Sequence, residues 1–581
     1  MTHTPLVPRT HADRIAQLTE TRQRVLLLPA EQAMAAILKH PQPAALVHSF
    51  PEEELHFLIH DIGPNDALPL IALASSRQWE YLLDMETWSR DRLSHQLATR
   101  WLQLLLRADP DRLIQWCYDE KLEYLEWYLF RNVELIIREH DQSSSDFGDG
   151  FFTDDDTFYV RMLDYPVGTP KEERAKARRN EMLSQLLHRL SGFDHPRYQG
   201  LLLEAMSVIP AETEEELLRL RNVRLAEKGF LPFHEAIGVY QPLRRGDLAA
   251  RGKKVFRKIA LEADRFPVPQ MATAFLEGDN LFVRALKGVQ EQHVIQQLQA
   301  ELANLCNQVA SADQAVIRAR DQLKAVVSKV SGYLGIGLER MTAKSDAERE
   351  INACALLQRH LLVDIFRTGF AGALQLKWTA ARWRKESWFQ SQQLELTFWD
   401  EMWLGLLGGL LIDKPKFFDP SGSVSHYREF QTRAELAATK RGLNQVMAVD
   451  QLLQQMAPPM KPFGQVGLLT YKNLLLTLWA RAWLKMAPLD QTTKIVWIAL
   501  GPFKTFFASL WTHHAGRRFI GNEKKAEFLT WAADSSGLPP ADLSQRLGTV
   551  FEALFAEMEH ELAAVAVSRL DPRQVHHFLI R

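Results

Sequence analysis

Cysteine is nearly absent. Cys117, Cys306 and Cys354 are the only three in 581 residues, they lie far apart, and none belongs to a CxxC pair. That spacing excludes a disulfide framework and a thiolate zinc cluster. The neighbours Trp116, Tyr118, Leu305, Ala353 and Ala355 make each thiol a small apolar filler on a helix in a reducing compartment. An excess of one charge is lacking as well: 69 basic and 71 acidic side chains leave a net charge of −2. This balance argues against a nucleic-acid or membrane-surface role for the chain as a whole.

Long hydrophobic runs are missing too. Met402 to Ile412 is uncharged but only 11 residues long, against the roughly 20 that a membrane span needs. Ile495 to Thr512 is longer, yet Lys504 sits inside it and Gly501-Pro502 interrupts it. It reads as two buried helices meeting at Gly-Pro. The opening MTHTPLVPRTHADRIAQ carries no apolar signal-peptide region. These absences lead to the expectation of a cytoplasmic protein without a membrane span.

What is present is helical periodicity. Between Arg92 and Arg107, Leu93, Leu97, Trp101 and Leu104 form an apolar stripe, with Arg92, Gln96, Thr99, Arg100 and Gln103 outside it. Between Asp119 and Glu139 the stripe is Leu122, Leu125, Leu129, Val133 and Ile136, with Glu134 and Arg138 as an outward i,i+4 pair. Similar patterns occupy Glu291–Ala310, Leu469–Met486 and Ala541–Val567. Strand signals are few. The clearest are Phe151-Phe152-Thr153 and Thr157-Phe158-Tyr159-Val160 around Asp154-Asp155-Asp156, which predict one small hairpin.

Helix starts in the first 115 residues pair proline with acids, at Pro29-Ala30-Glu31, Pro51-Glu52-Glu53, Pro64-Asn65-Asp66 and Pro110-Asp111. Short helices restarted in this way bury their apolar faces only by stacking on neighbours. Five of the fifteen tryptophans lie between Trp79 and Trp127 and ten between Trp378 and Trp531, so the middle third has a different core. The fold class expected is all-α: an N-terminal, solenoid-like helical array and a Trp-rich C-terminal helical domain, with one small β-hairpin near 151–160. The domain scheme is 1–140 for the array and 141–240 for the hairpin and the helices completing the N-terminal half. A basic linker at 241–270 then leads to the C-terminal domain at 271–581.

Motifs with chemistry fall short one by one. His234-Glu235 and His560-Glu561 begin like HExxH, but Gly238 and Ala564 stand where the second imidazole belongs. Gly246 to Lys254 has five residues between its glycines and lacks the Ser or Thr of a phosphate loop. Gly332-Tyr333-Leu334-Gly335-Ile336-Gly337 follows a helical stretch, whereas a dinucleotide fold needs a strand before it. The pairs His513-His514 and His576-His577 diverge by about 100° if helical and do not chelate from one face. Asp141 to Asp156 holds six aspartates and no Lys or Arg. Asp154, Asp155 and Asp156 are therefore weak candidates for a hard cation, with a solvated turn as the ordinary reading. The seven basic residues between Arg244 and Lys258 have only Phe256 for stacking, so a linker is favoured over a nucleic-acid surface. No cofactor is implied.

Among the tryptophans of the array, Trp79 and Trp101 align with leucine stripes. Trp88 does not. If Thr87 caps the next helix, Trp88 shares a face with Asp91, Arg92 and His95; if Ser89 caps it, Trp88 is a hydrophobic staple on Leu93. The staple is favoured, and Trp88 is the single candidate for contacting a partner.

Residues Pro29 to Asp91 resemble the helical N-terminal cytosolic domain of MgtE-type magnesium transporters in their Pro-acid-Leu rhythm. The whole chain is similar to an uncharacterised bacterial family through QWEYLLDMETWSRDRL (78–93), RNVRLAEKGFLPFHEAIGVYQPL (221–243) and ELANLCNQVASAD (301–313). The resemblance implies no activity, and no transport, since no membrane domain accompanies it. The function expected is a helical scaffold or protein-interaction protein. The alternatives are an enzyme with an apolar pocket near Trp378, Trp383, Trp388 and Trp399, or a weak nucleic-acid binder through 244–258.

Overall fold

The prolines act as the helix signals they resemble in three of four places. Pro29 and Pro51 cap α2 (Ala30–Leu38) and α4 (Glu52–Ile62), and Pro110 opens α8 (Pro110–Glu120). Pro64 instead sits in a turn after Gly63, whose φ is +101°. The next helix waits until Leu68.

The computed structural model describes residues 11–581 apart from 144–145, 167, 244, 251–253, 255–270, 343–345, 421–425, 462, 464–465, 490–495 and 515–516. It is predominantly helical with a few short antiparallel strand pairs. Before the first strand come α1 (His11–Leu26), α2, α3 (Pro43–His48), α4, α5 (Leu68–Leu73) and α6 (Ser76–Glu86). From α1 to α6 each helix packs on the next but one, as well as on some direct neighbours. Ser75 begins α6 with a capping box, its hydroxyl accepting from the Gln78 amide and the Gln78 side chain accepting from the Ser75 amide.

Two sequence expectations fail just beyond α6. Neither Thr87 nor Ser89 caps a following helix: Trp88–Ser89 (β1) pairs with Arg92–Leu93 (β2), and α7 runs His95–Ala108 with Ser94 as its cap. The staple position before that cap therefore belongs to Leu93, and Trp88 lies in a hairpin. Farther on, the stripe Leu122–Ile136 is not one helix. α9 (Leu122–Asn132) stops at Asn132, whose side-chain amide donates to the Tyr128 carbonyl at 2.7 Å, and Val133 is extended. The β-branched residues of VELII then favour strand β3 (Val133–Ile137). Glu134 consequently pairs with Arg161 across the sheet and not with Arg138. The expected hairpin forms from β4 (Phe151–Phe152) and β5 (Phe158–Met162), with Phe152 opposite Val160, and β3 joins the other edge of β5. α10 (Pro170–Phe193), α11 (His195–Ser207) and α12 (Pro210–Ala226) follow.

Among the described residues, buried apolar side chains form two clusters. One draws on residues 25–205, the other on residues 236–580 together with Phe57 of α4. In the second, helices Arg320–Met341 and Leu362–Glu386 cross at glycine: a Cβ on Gly369 would lie 2.0 Å from the Tyr333 carbonyl oxygen. The glycine-rich run at 332–337 thus serves a close helix contact. Ile495 lies outside the described residues. Beyond it, Gly501-Pro502 falls in the first turn of one helix, Leu500–Ser509, and does not separate two. Trp511–His514 is a strand, so His513-His514 is not helical. No helix among the described residues is long and apolar enough to cross a membrane.

A buried ammonium organises the second cluster. Lys329 donates to Asp313 at 2.9 Å and lies 3.3 Å from Glu429, while Tyr240 donates to Asp313 at 2.7 Å and Lys414 also pairs with it. Burial raises the Asp313 carboxyl, but the two lysines outweigh it and hold it below the ordinary value. Such a carboxylate stabilises the fold above its unfolded pKa of about 3.9 and loses that contribution as pH falls through the folded value. Asp313→Asn is expected to cost about 1–3 kcal/mol at pH 7, the penalty for under-satisfied buried groups. Denaturant melts at pH 7 and pH 3 check this. The deficit should shrink at pH 3, and an equal deficit at both would contradict it.

Candidate functional site

The C-terminal half of α6, the joint between α8 and α9 (Leu122–Asn132), and α12 enclose a cleft of about 350 Å³. Lys121 ends α8 and precedes α9, so the short turn there brings Asp119, Glu120 and Glu123 to the rim. Arg224 of α12 grips Asp84 through two 2.8 Å hydrogen bonds and lies 3.3 Å from Glu80, which also pairs with Lys121. Burial pushes the Asp84 carboxyl up against the pull of Arg224. Glu214 of α12 accepts from the Leu93 amide at 2.7 Å and from Arg92 at 3.2 Å, holding the β1–β2 hairpin in place.

Trp88 stands on the cleft wall, half-buried, with the Arg221 guanidinium 5.4 Å from its ring centre. Five carboxylates (Glu80, Asp84, Asp119, Glu120 and Glu123) and two cations, Lys121 and Arg224, line the cleft, and Arg197 pairs with Asp119 from outside it at 3.2 Å. The floor is apolar, formed by Leu83, Leu217 and Leu220.

Asp154, Asp155 and Asp156 form the β4–β5 turn. Asp155 accepts from the Thr157 and Phe158 amides at 3.0 and 2.8 Å and from Gln199 at 3.0 Å. Burial opposes ionisation there, but these hydrogen bonds prevail and lower the Asp155 carboxyl. Asp156 pairs with Arg138 and accepts from Tyr159, and Asp154 lies 3.4 Å from His188. Phe147, in the aspartate-rich stretch 141–156, stacks on Tyr159 at 3.8 Å.

Of the basic run, Arg244, residues 251–253 and residues 255–258 lie outside the described residues. Lys254 does not face solvent: its side chain is 2% exposed and pairs with Glu301 at 2.6 Å. Trp383, Trp388 and Trp399 are buried among other aromatic rings. Trp383 meets Trp399 and Phe389, Trp388 meets Phe398, and the Trp383 indole donates to Asp450. Trp378 is 48% exposed. An apolar hollow does exist nearby, about 450 Å³, lined by Met402, Trp403, Leu406, Phe417 and Phe418.

Among the described residues, two groupings of three imidazole and carboxylate side chains were not anticipated from the sequence. His56 and His60, one turn apart on α4, both place Nε2 2.9 Å from Oε1 of Glu86 at the end of α6. Arg318, from the segment before helix Arg320–Met341, approaches the same oxygen at 3.1 Å. Burial drives the His56 imidazole toward its neutral form. For Glu86, burial works against ionisation, but the two histidine hydrogen bonds win and hold its carboxyl below the usual range. The signal was there as His56-x3-His60, with Phe57 where HExxH has glutamate.

In the other grouping, His577 is 4% exposed between Glu557 and Glu561 of helix Pro540–Leu562, at 3.6 and 3.3 Å. His577 and Lys472 bring the Glu557 carboxyl down to about 2.

No curated protein and no solved structure matches the chain, so the likeness of residues 29–91 to MgtE-type cytosolic domains is not shown. One family model does match, across residues 11–581. The chain belongs to DUF6178, a family of unknown function.

Proposed function

We propose that the chain is a cytoplasmic helical interaction protein that binds a basic segment of a partner protein in the cleft between α6, α9 and α12. The observation that carries this reading is the cleft's lining: five carboxylates, of which Glu80, Asp84 and Asp119 are paired with Lys121, Arg224 and Arg197 and Glu120 and Glu123 stand at the rim, above a leucine floor with Trp88 on the wall. A lysine- or arginine-containing segment adds positive charge beside Glu120 and Glu123 and meets Trp88 next to the Arg221 guanidinium. Charge complementarity of this kind raises association rates and excludes acidic partners. The near absence of cysteine suits a reducing compartment.

Calorimetric titration with a synthetic lysine-rich peptide and its glutamate counterpart tests the proposal. The lysine peptide should bind, more weakly as salt rises, and the glutamate peptide should not. Glu123→Lys and Trp88→Ala should each weaken binding about 10-fold, or about 1.4 kcal/mol. Equal binding of both peptides, or binding untouched by either variant, would refute it.

A further inference from the structure

We infer that His56, His60 and Glu86 form a binding site for one divalent transition-metal ion of the zinc class. Two imidazoles one helical turn apart and a carboxylate from a neighbouring helix are a donor set of the kind that holds zinc with a fourth position left open. All three ligand atoms lie within 4.8 Å of one another. A tetrahedral ion with bonds of about 2.0–2.1 Å places its ligand atoms about 3.3 Å apart. The Nε2–Oε1 separations of 2.9 Å therefore need to open by only about 0.4 Å to admit the ion.

The helices fix the ligands in place. α4 and α6 pack directly on each other, His56 is buried, and its ring meets Tyr81 and His60 edge-on. Imidazole nitrogen selects a zinc-class ion over calcium or magnesium, which take oxygen ligands.

Two features oppose a cation here: each Nε2 now donates to Glu86, so each imidazole must shift its proton to Nδ1 before it can ligate, and Arg318 stands on the oxygen the metal would use. Its side chain is 45% exposed and that of His60 12%, so the site has a solvent side onto which the guanidinium can withdraw. The arginine thus acts as an internal competitor for the Glu86 carboxylate, and this makes the site distinguishable from a purely structural ion network.

Cobalt(II) titration of the metal-free, full-length protein, read by its visible bands and followed by displacement with zinc, tests the inference. One equivalent should bind with a four-coordinate spectrum. His60→Gln should weaken binding about 100-fold or more, beyond what losing an outer-shell partner costs. Arg318→Ala should tighten it about 10-fold, since a competing charge is removed. The unchanged helical signal of each metal-free variant serves as the fold control, and Arg318→Ala, at an exposed position, tests the site independently of any folding defect in His60→Gln. Absence of uptake from excess cobalt would overturn the inference. So would uptake unchanged in His60→Gln but lost in His577→Asn, or weaker binding in Arg318→Ala.

Discussion

Replacing Trp101 with alanine is expected to lower the unfolding free energy by about 3–5 kcal/mol, the usual cost of emptying a large buried aromatic site. The indole is 1% exposed, in the middle of α7, and meets the edge of His60 at 6.3 Å. Its neighbours are helices on both sides, so the vacated volume has no loop to collapse into it. Trp88→Ala should cost far less, about 1 kcal/mol, because a half-buried ring on a two-residue strand gives up part of its contact to water already. Chemical denaturation of the two single variants decides between them. Comparable losses would make Trp88 a core residue and weaken its assignment to the cleft wall.

A larger loss is expected at the glycine crossing. Gly369→Leu should destabilise by more than about 4 kcal/mol, in the exceptional range reached when a packed core is overfilled against backbone. A Cβ there would lie 2.0 Å from the Tyr333 carbonyl oxygen and 2.9 Å from the Gly337 amide nitrogen. Backbone cannot swing aside as a side chain can, so helices Arg320–Met341 and Leu362–Glu386 must separate. Gly200→Ala in α11 is the matching control. Nothing stands within 4 Å of its Cβ, so alanine should stabilise by about 0.4–1 kcal/mol through lower unfolded-state entropy. Thermal or denaturant unfolding of both reads the contrast directly, and a Gly369→Leu protein as stable as the parent would contradict the crossing geometry.

Periodicity carried most of the helical architecture, because an apolar stripe dictates a helix wherever nothing local competes with it. Where something did compete, the pattern misled. The spacing of Leu122, Leu125, Leu129, Val133 and Ile136 is helical, yet the consecutive residues Val133 to Ile137 prefer a pleated surface, and a sheet partner was available in Phe158–Met162. At Trp88 the confusion lay between two caps, and the true cap, Ser94, is five residues beyond the nearer of them. The hairpin across Asp154–Asp156 was legible because aspartate in a tight turn can accept from the backbone two and three residues ahead, as Asp155 does.

The cleft was not legible. Its lining comes from Glu80, Lys121 and Arg224, which are spread over 144 positions and meet only through the packing of α12 on α9. The His56–His60 pair was visible as a spacing, but Glu86 joins it through the α4–α6 contact alone. His577 sits between two carboxylates for the same reason: the chain beyond helix Pro540–Leu562 turns back onto it.

The most direct test of the cleft as a binding surface is hydrogen–deuterium exchange of the full-length protein with and without the lysine-rich peptide. Bound peptide should slow exchange in the last turns of α6, in the β1–β2 hairpin, at the 119–124 joint and in α12, with the rest of the chain unchanged. Protection confined to the apolar hollow around Trp403, or spread evenly over the molecule, would contradict it.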